Sequence, residues 1–202
     1  VIETGAGVVH IYFDKTGNAN NAAKIIYNAK TQRPSVCNAL DTLLIHKNRI
    51  KDLPKLLKPL ISNNVKVFAD PQSHKSLSGH YPKNLLFKAK SASFGKEYLS
   101  LQMSVKIVAG IDEAILHINT FGSGHSESII TENKNNADKF LNEVDAACVY
   151  VNTSTRFTDG GVFGLGAEIG ISTQKLHARG PMGINELTSY KWLIRGSGQI
   201  RK

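Results

Sequence analysis

The chain has 202 residues, of which 41% are hydrophobic and 20% charged, a balance typical of a globular protein with one or two domains. No stretch approaches the roughly 20 consecutive apolar residues that a membrane-spanning helix needs. The net charge of +9 favours anionic ligands, but the lysines and arginines are scattered, with no basic run interleaved with aromatic residues and no zinc-finger spacing. We therefore predict neither a nucleic-acid partner nor a membrane partner.

The first half of the chain alternates strand-like and helix-like segments. β-Branched and aliphatic runs predict strands, and apolar residues at helical spacing predict helices. In chain order the predicted elements are a strand at Val8–Phe13, a helix at Asn18–Lys30, a strand at Leu43–His46, a helix at Arg49–Ser62 and a strand at Val65–Ala69. Residues 70–95 are polar and show less periodicity.

The second half resumes the same alternation. Its predicted elements are a strand at Val105–Val108, a helix at Ile111–Thr120, a strand at Ser128–Thr131, a helix at Lys134–Val144 and a strand at Cys148–Val151. This order predicts an α/β fold with a mainly parallel sheet flanked by helices. The β-prone run Leu187–Arg195 has no local partner, so we expect it to add a strand to a sheet of another domain or subunit.

Cys37 is the candidate nucleophile. It lies on a predicted loop between a helix and a strand, close in sequence to Lys30 and Arg33, where a thiolate can be stabilised and reached. The alternative is that Cys37 is a small buried hydrophobic residue, as most free cysteines are. Cys148 lies in an apolar strand and is expected to be structural, and we expect no disulfide, which fits a reducing cytoplasm.

The segment 152–166 combines hydroxyl side chains, Arg156 and several glycines directly after a predicted buried strand. Loops at the carboxyl ends of strands often bind ligands in α/β proteins, and this composition suits a carboxylate or a phosphate. An ordinary glycine-rich surface loop is equally consistent with it.

Other chemical signatures are weak. No GxGxxG fingerprint or Walker loop is complete, and the seven histidines show no HxxxH pair and no cysteine partner, so we predict no metal site. Glu3, Glu97 and Glu168 are acidic candidates, and each is equally consistent with a surface or capping carboxylate.

Four groups of residues together resemble one known family. They are Lys30–Ala39 (KTQRPSVCNA), Ile111–Asn119 (IDEAILHIN) with Gly124–Glu127 (GHSE), Val151–Gly161 (VNTSTRFTDGG) and Ile171–Gly183 (ISTQKLHARGPMG). They resemble the gamma-glutamyl phosphate reductases, which are members of the aldehyde dehydrogenase superfamily. The resemblance runs from end to end of the chain and is to the C-terminal half of that longer enzyme, and a chain without an initiator Met is consistent with a fragment.

The resemblance implies a domain plan. Residues 1–186 would form the catalytic domain and residues 187–202 an oligomerisation arm, which gives the unpartnered run near the C-terminus a role. The NADPH-binding domain would precede this chain and be absent from it, so we expect the chain alone to be inactive. The resemblance also implies a cytoplasmic homo-oligomer, with glutamate 5-kinase as a possible channelling partner.

The reaction implied by the resemblance is the NADPH-dependent reduction of L-glutamyl 5-phosphate to L-glutamate 5-semialdehyde and phosphate, in proline biosynthesis. It would proceed through a thioester on Cys37. Two alternatives stay open: another acylating or hydrolytic aldehyde dehydrogenase, and the reductase half of a bifunctional pyrroline-5-carboxylate synthase.

The resemblance also implies roles for individual residues. Cys37 matches the superfamily nucleophile and Glu3 its general-base glutamate, although a reductase needs no activated water, so a positional or proton-shuttle role is expected for Glu3. Glu97 matches the glutamate that holds the nicotinamide ribose, but the Phe-Gly-Pro that follows it in the superfamily is missing after Glu97. The expected substrate contacts are Arg33, Asn38, Ser154, Arg156, Gly160 and Gly161.

Overall fold

A seven-stranded parallel β-sheet forms the centre of the protein in the computed structural model, which describes residues 3–202. Its strands are β1 (His10–Phe13), β2 (Thr42–His46), β3 (Lys66–Ala69), β4 (Leu86–Lys88), β5 (Gln102–Val108), β6 (Ser126–Ile130) and β7 (Cys148–Val151). The strand order is β4-β3-β5-β2-β1-β6-β7, and every neighbouring pair is parallel. A separate antiparallel pair, β8 (Gly170–Ser172) and β9 (Gly180–Met182), lies late in the chain.

Helices cover both faces of the sheet. They are α1 (Ala19–Thr31), α2 (Leu53–Leu57), α3 (Pro71–Leu77), α4 (Ile111–Phe121) and α5 (Lys134–Glu143). Side chains alternate along β1: Ile11 and Phe13 pack in one core with α1 to α3, whereas Tyr12 packs in the other with α4 and α5. The predicted α/β fold with a mainly parallel sheet is thereby confirmed. In the described part of the chain, no helix is long and apolar enough to cross a membrane.

Prolines divide a segment that the sequence predicts as one helix. The apolar spacing of Arg49–Ser62 is helical, yet the structure has a 3₁₀ helix at Lys47–Asp52, then α2, then a second 3₁₀ helix at Lys58–Asn63. Pro54 and Pro59 each stand in the first turn of a new segment, because a proline has no N–H to donate within a helix. The prediction of a single helix there is wrong.

The polar stretch 70–95 contains two short elements that its weak periodicity did not predict, α3 and β4. Asp70 begins α3: its Oδ1 accepts the Ser73 N–H at 2.7 Å, and Pro71 occupies the first helical position. The sequence signal for the start of α3 is therefore the pair Asp70-Pro71 and not a hydrophobic periodicity.

The predicted strand at Leu187–Arg195 is not formed in the single chain. A 3₁₀ turn ends at Leu187 and the chain continues without regular structure. A strand needs a neighbouring strand to pair its backbone groups, and none lies beside this run among residues 3–202. The apolar side chains of this C-terminal run, Tyr190, Trp192, Leu193 and Ile194, are 80% to 90% exposed.

Candidate functional site

Cys37 lies on the loop between α1 and β2, at the edge of the sheet where the strands begin. Its side chain is partly buried. The composition of segment 152–166 predicted ligand contacts at the opposite edge, where the strands end. The strands β1 and β2 are parallel, so α1 runs back along the sheet from the end of β1 towards the start of β2. The loop that contains Cys37 therefore lies at the start of β2.

A close backbone approach ties Cys37 to the segment before β1. A Cβ added at Gly7 would lie 1.8 Å from the Cys37 carbonyl oxygen, so only glycine fits at this position. The Gly7 N–H donates to Glu97 Oε1 at 2.8 Å. Cys37 and Glu97, which are far apart in sequence, are thus brought together around Gly7.

The segment after β7, residues 152–168, also reaches Cys37, by a route that the sequence did not indicate, and is called the returning segment below. It starts where β7 ends, then returns along the sheet: Ser128 Oγ donates to the Thr153 carbonyl at 2.8 Å, and the Ser126 and Thr158 hydroxyls lie 2.7 Å apart. Ser126 begins β6, so Thr158 lies at the same edge as Cys37. We expected this loop to bind ligand beyond the carboxyl ends of the strands. The structure instead places part of it beside the Cys37 thiol, at the edge where the strands begin.

Asn38 links the Cys37 loop to this returning segment. Its Nδ2 donates to the Thr158 carbonyl at 2.7 Å, its Oδ1 accepts from the Arg156 guanidinium, and its carbonyl accepts from the Thr155 hydroxyl at 2.8 Å. Ser154 Oγ accepts the Arg156 N–H at 3.3 Å and caps the 3₁₀ turn that follows. Of these two predicted substrate contacts, Asn38 therefore holds the two loops together, and Ser154 caps a turn within its own segment.

Charges of both signs surround the thiol. Burial raises the pKa of Cys37, the carboxylates of Glu168 and Glu97 raise it further, and the Arg156 guanidinium opposes them. Burial lowers the pKa of Arg156, and the positive charge of Arg33 acts in the same direction. Within this chain the balance favours the neutral thiol.

Lys30 does not stabilise the thiolate as its sequence position suggested. Its side chain is fully buried, and its Nζ donates to the Gln102 carbonyl at 2.8 Å. Because a lysine in the last turn of α1 points into the interior, the cation that acts on Cys37 is Arg156, from a distant part of the chain.

Glu168, like Glu97, is an acidic candidate whose charge acts on Cys37, and of the two it has the larger effect on the Cys37 pKa. Glu168 Oε2 accepts the Gly160 N–H at 2.8 Å, which fixes the carboxylate on the returning segment. A Cβ added at Gly160 would lie 2.5 Å from the Ala167 carbonyl, so the two stretches of chain approach closely there. The sequence alone does not distinguish Glu168 from a surface carboxylate, because its proximity to Cys37 depends on how the returning segment folds.

The remaining predicted residues are more exposed. Glu3 lies on the surface and accepts from Gln174 Nε2 at 3.3 Å, while Arg33 and Gly161 are also exposed. Beside the site, a cavity of about 360 Å³ opens between α1 and the returning segment, and Gln32, Ser154 and Arg156 contribute to its wall. Residues 3–202 contain no group of three or more potential metal ligands.

The fold and the site define a class of protein. A sequence model of the aldehyde dehydrogenase family matches residues 42–193. The chain belongs to the aldehyde dehydrogenase family.

Within that family the chain is similar to gamma-glutamyl phosphate reductases. It is 61% identical over 201 residues to the enzyme of Legionella pneumophila strain Corby and 60% identical over 201 residues to that of Chlorobium chlorochromatii; both matches cover 100% of this chain and 48% of the relative. The crystal structure of the Thermotoga maritima enzyme superposes with a TM-score of 0.92 and 47% identity, over 100% of this chain and 48% of that one. The chain thus spans about half the length of the relatives it matches.

Proposed function

We propose that the protein containing this chain reduces L-glutamyl 5-phosphate with NADPH to L-glutamate 5-semialdehyde and phosphate, in proline biosynthesis. The observation that carries the proposal is the setting of Cys37, a partly buried thiol at the meeting point of the segments that contain Gly7, Glu97 and Arg156. The 61% identity to curated reductases supports the choice of substrate.

The first chemical step uses the Cys37 sulfur. The Cys37 thiol loses its proton to solvent, the resulting thiolate attacks the acyl carbon, the C–O bond to phosphate breaks, and phosphate leaves with the electron pair. The product is a thioester, since a thiolate is nucleophilic near neutral pH and phosphate is a good leaving group. The Cys37 N–H is the candidate donor to the oxyanion that forms during the attack.

The second step needs a hydride, which NADPH supplies when it is bound. The hydride would add to the thioester carbon and the C–S bond would then break, which would release the aldehyde and return the Cys37 thiolate. Glu97 suits a cofactor contact: its carboxylate makes one hydrogen bond within residues 3–202, to Gly7, which leaves acceptor capacity for ribose hydroxyls. Under this proposal, a domain outside this chain would bind the rest of NADPH.

The α-carboxylate and the phosphate of the substrate are anionic, so they need hydrogen bonds from cationic side chains or from backbone N–H groups. Arg156 borders the cavity beside the site, and Arg33 is close enough for its charge to lower the Arg156 pKa. We assign one guanidinium to the α-carboxylate and the other to the departing phosphate. Gly160 and Gly161 would contribute backbone contacts to the substrate.

Two further assignments complete the proposal. Glu3 lies on the exposed surface beside Gln174, and we assign it a positional or proton-shuttle role, because activated water would hydrolyse the thioester. Residues 1–186 would form the catalytic domain, and residues 187–202 would pair with a second copy of the enzyme as an oligomerisation arm.

The test is an assay of the full-length enzyme in the reverse direction, measuring NADP⁺ reduction by glutamate 5-semialdehyde with and without phosphate. We expect phosphate-dependent turnover that is abolished by Cys37→Ala and is retained by Cys148→Ala, the matched substitution of the other cysteine. Turnover without phosphate would point to a hydrolytic relative. Full activity of Cys37→Ala would overturn the assignment of the nucleophile.

A further inference from the structure

A buried ion pair connects the end of α1 to the start of β2, with one residue on each side of the Cys37 loop. The side chains of Lys30 and Asp41 are 0% and 3% exposed, and Lys30 Nζ lies 3.9 Å from Asp41 Oδ1. Removing two charges from water is costly, and a buried ion pair often stabilises a protein no more than apolar residues of the same volume. The contacts of the pair indicate a role other than stability.

The Asp41 carboxylate accepts hydrogen bonds from two separate segments. Its Oδ1 accepts the Tyr98 N–H at 2.9 Å, and its Oδ2 accepts the Val9 N–H at 3.3 Å. Tyr98 directly follows Glu97, and Val9 stands two residues after Gly7. One side chain thus holds the backbone on both sides of the candidate site.

The same two segments meet a second time next to the nucleophile. Gly7 donates its N–H to Glu97 Oε1 at 2.8 Å and packs against the Cys37 carbonyl. The Glu97 side chain is consequently restrained at both ends: its backbone through Tyr98 and Asp41, and its carboxylate through Gly7.

We propose that Asp41, with Lys30 as its counter-cation, is a positioning residue that orients Glu97 towards the ribose of the nicotinamide cofactor. The inference rests on the proposed function, since it assumes that Glu97 contacts that ribose. An ionised carboxylate is required because each of its oxygens accepts one N–H, whereas an amide has a single acceptor atom and would turn its NH₂ towards the other N–H.

The groups that face Asp41 keep it ionised despite its burial. Burial raises the Asp41 pKa to about 6, and Lys30 from α1 and His10 from β1 oppose that rise. Burial lowers the Lys30 pKa to about 8, and Asp41 opposes that fall. Burial raises the pKa of the Tyr98 phenol, and the Asp41 carboxylate raises it further. Both members of the pair are therefore charged near neutral pH.

The decisive variant is Asp41→Asn in the full-length enzyme, and the main readout is the NADPH dissociation constant, measured by fluorescence titration. We expect a rise of about tenfold in that constant and in the KM for NADP⁺, from the loss of a charge-assisted hydrogen bond, with the KM for glutamate 5-semialdehyde unchanged. The matched control is Asp14→Asn, because Asp14 is 1% exposed and accepts from Thr131 and Asn136 at the opposite edge of the sheet. The control should leave NADPH binding unchanged.

Lys30→Met gives a second, independent readout that applies even if Asp41→Asn does not fold. Without the cation, the Asp41 pKa rises further, so NADPH binding should be weak at pH 7 and recover as the pH rises through the new pKa. The wild-type protein, whose Asp41 pKa is about 6, should show the same recovery at lower pH, so its NADPH binding is already strong at pH 7. Unchanged NADPH affinity in Asp41→Asn or Lys30→Met, or an equal loss in Asp14→Asn, would overturn the inference. A wild-type enzyme that does not bind NADPH would instead refute the proposed function.

Discussion

Cys37, the proposed nucleophile, shows how residues that are distant in sequence act, beside burial, on the charge of a thiol. Its pKa is raised first by burial and then by the carboxylates of Glu168 and Glu97, and it is lowered by Arg156. Reactive cysteines usually have lowered pKa values. The described part of this chain instead favours the neutral thiol, which reacts more slowly with oxidants and alkylating agents than a thiolate does.

We predict that Glu168→Gln lowers the pKa of Cys37. An anionic neighbour disfavours the thiolate, so removing the negative charge increases the thiolate fraction at any pH below the pKa. Glutamine keeps an oxygen that can accept the Gly160 N–H, so the loop contact is retained. The rate of Cys37 alkylation by iodoacetamide at pH 7 should rise about two- to fivefold, as expected for a partly screened charge pair.

The control for this prediction is Glu132→Gln, which removes an exposed carboxylate just after the end of β6, at the opposite edge of the sheet. It should leave the alkylation rate unchanged. If the pH profile of alkylation has the same midpoint in Glu168→Gln as in the wild type, the electrostatic account of the thiol is wrong.

At the level of elements, α1 determines where the Cys37 loop begins. The helix starts with Asn18, whose side chain accepts the N–H groups of Asn20 and Asn21 at 3.0 and 3.1 Å. We predict that Asn18→Ala lowers the free energy of unfolding by about 1 kcal/mol, because the first turn loses its cap. The midpoint of urea denaturation measures the change.

Asn20→Ala is the matched control for this cap. Asn20 is exposed in the first turn of α1, where alanine has a higher helix propensity than asparagine, so the substitution should be neutral or slightly stabilising. Equal destabilisation by both substitutions would show that the Asn18 cap contributes nothing.

Elements with a strong local signal were predicted well, and those that depend on single residues were not. The strand and helix of the first βα unit and the helices α4 and α5 lie within two residues of their predicted bounds. The helix at Arg49–Ser62 was predicted wrongly because its apolar spacing continues through two prolines that interrupt the backbone hydrogen bonds. The short elements α3 and β4 lack enough residues to show a period.

At the scale of the whole molecule, the C-terminal run exposes more apolar surface than an isolated chain should. Tyr190, Trp192, Leu193 and Ile194 are 80% to 90% exposed, and the ring of Tyr190 lies edge-on to that of Trp192 with 5.9 Å between the centroids. We predict that Leu193→Asp in the full-length enzyme weakens subunit association by on the order of a hundredfold, since a charge would be buried in the proposed interface. Light scattering coupled to size-exclusion chromatography measures the change in mass.

Leu176→Asp is the matched control, because Leu176 is 100% exposed but lies outside the C-terminal run. It should leave the oligomeric state as in the wild type. If Leu193→Asp also has no effect on the mass, residues 187–202 are not an oligomerisation arm.

The sequence by itself determined the fold class and the nucleophile candidate. Hydrophobic periodicity is a local property, so the alternation of strands and helices could be recognised from neighbouring residues alone. The motif around Cys37 is also contiguous, and with the other matching segments it was sufficient for the resemblance to gamma-glutamyl phosphate reductases.

Only the tertiary structure decided which residues surround the thiol. Contacts of Gly7 with Glu97, of Asn38 with Thr158 and of Asp41 with Tyr98 join residues that are far apart along the chain. No local pattern encodes such contacts, because they depend on how the strands are ordered in the sheet and on a segment that returns along it from the end of β7. For the same reason Lys30, close to Cys37 in sequence, points into the core, and Arg156, distant in sequence, lies beside the thiol.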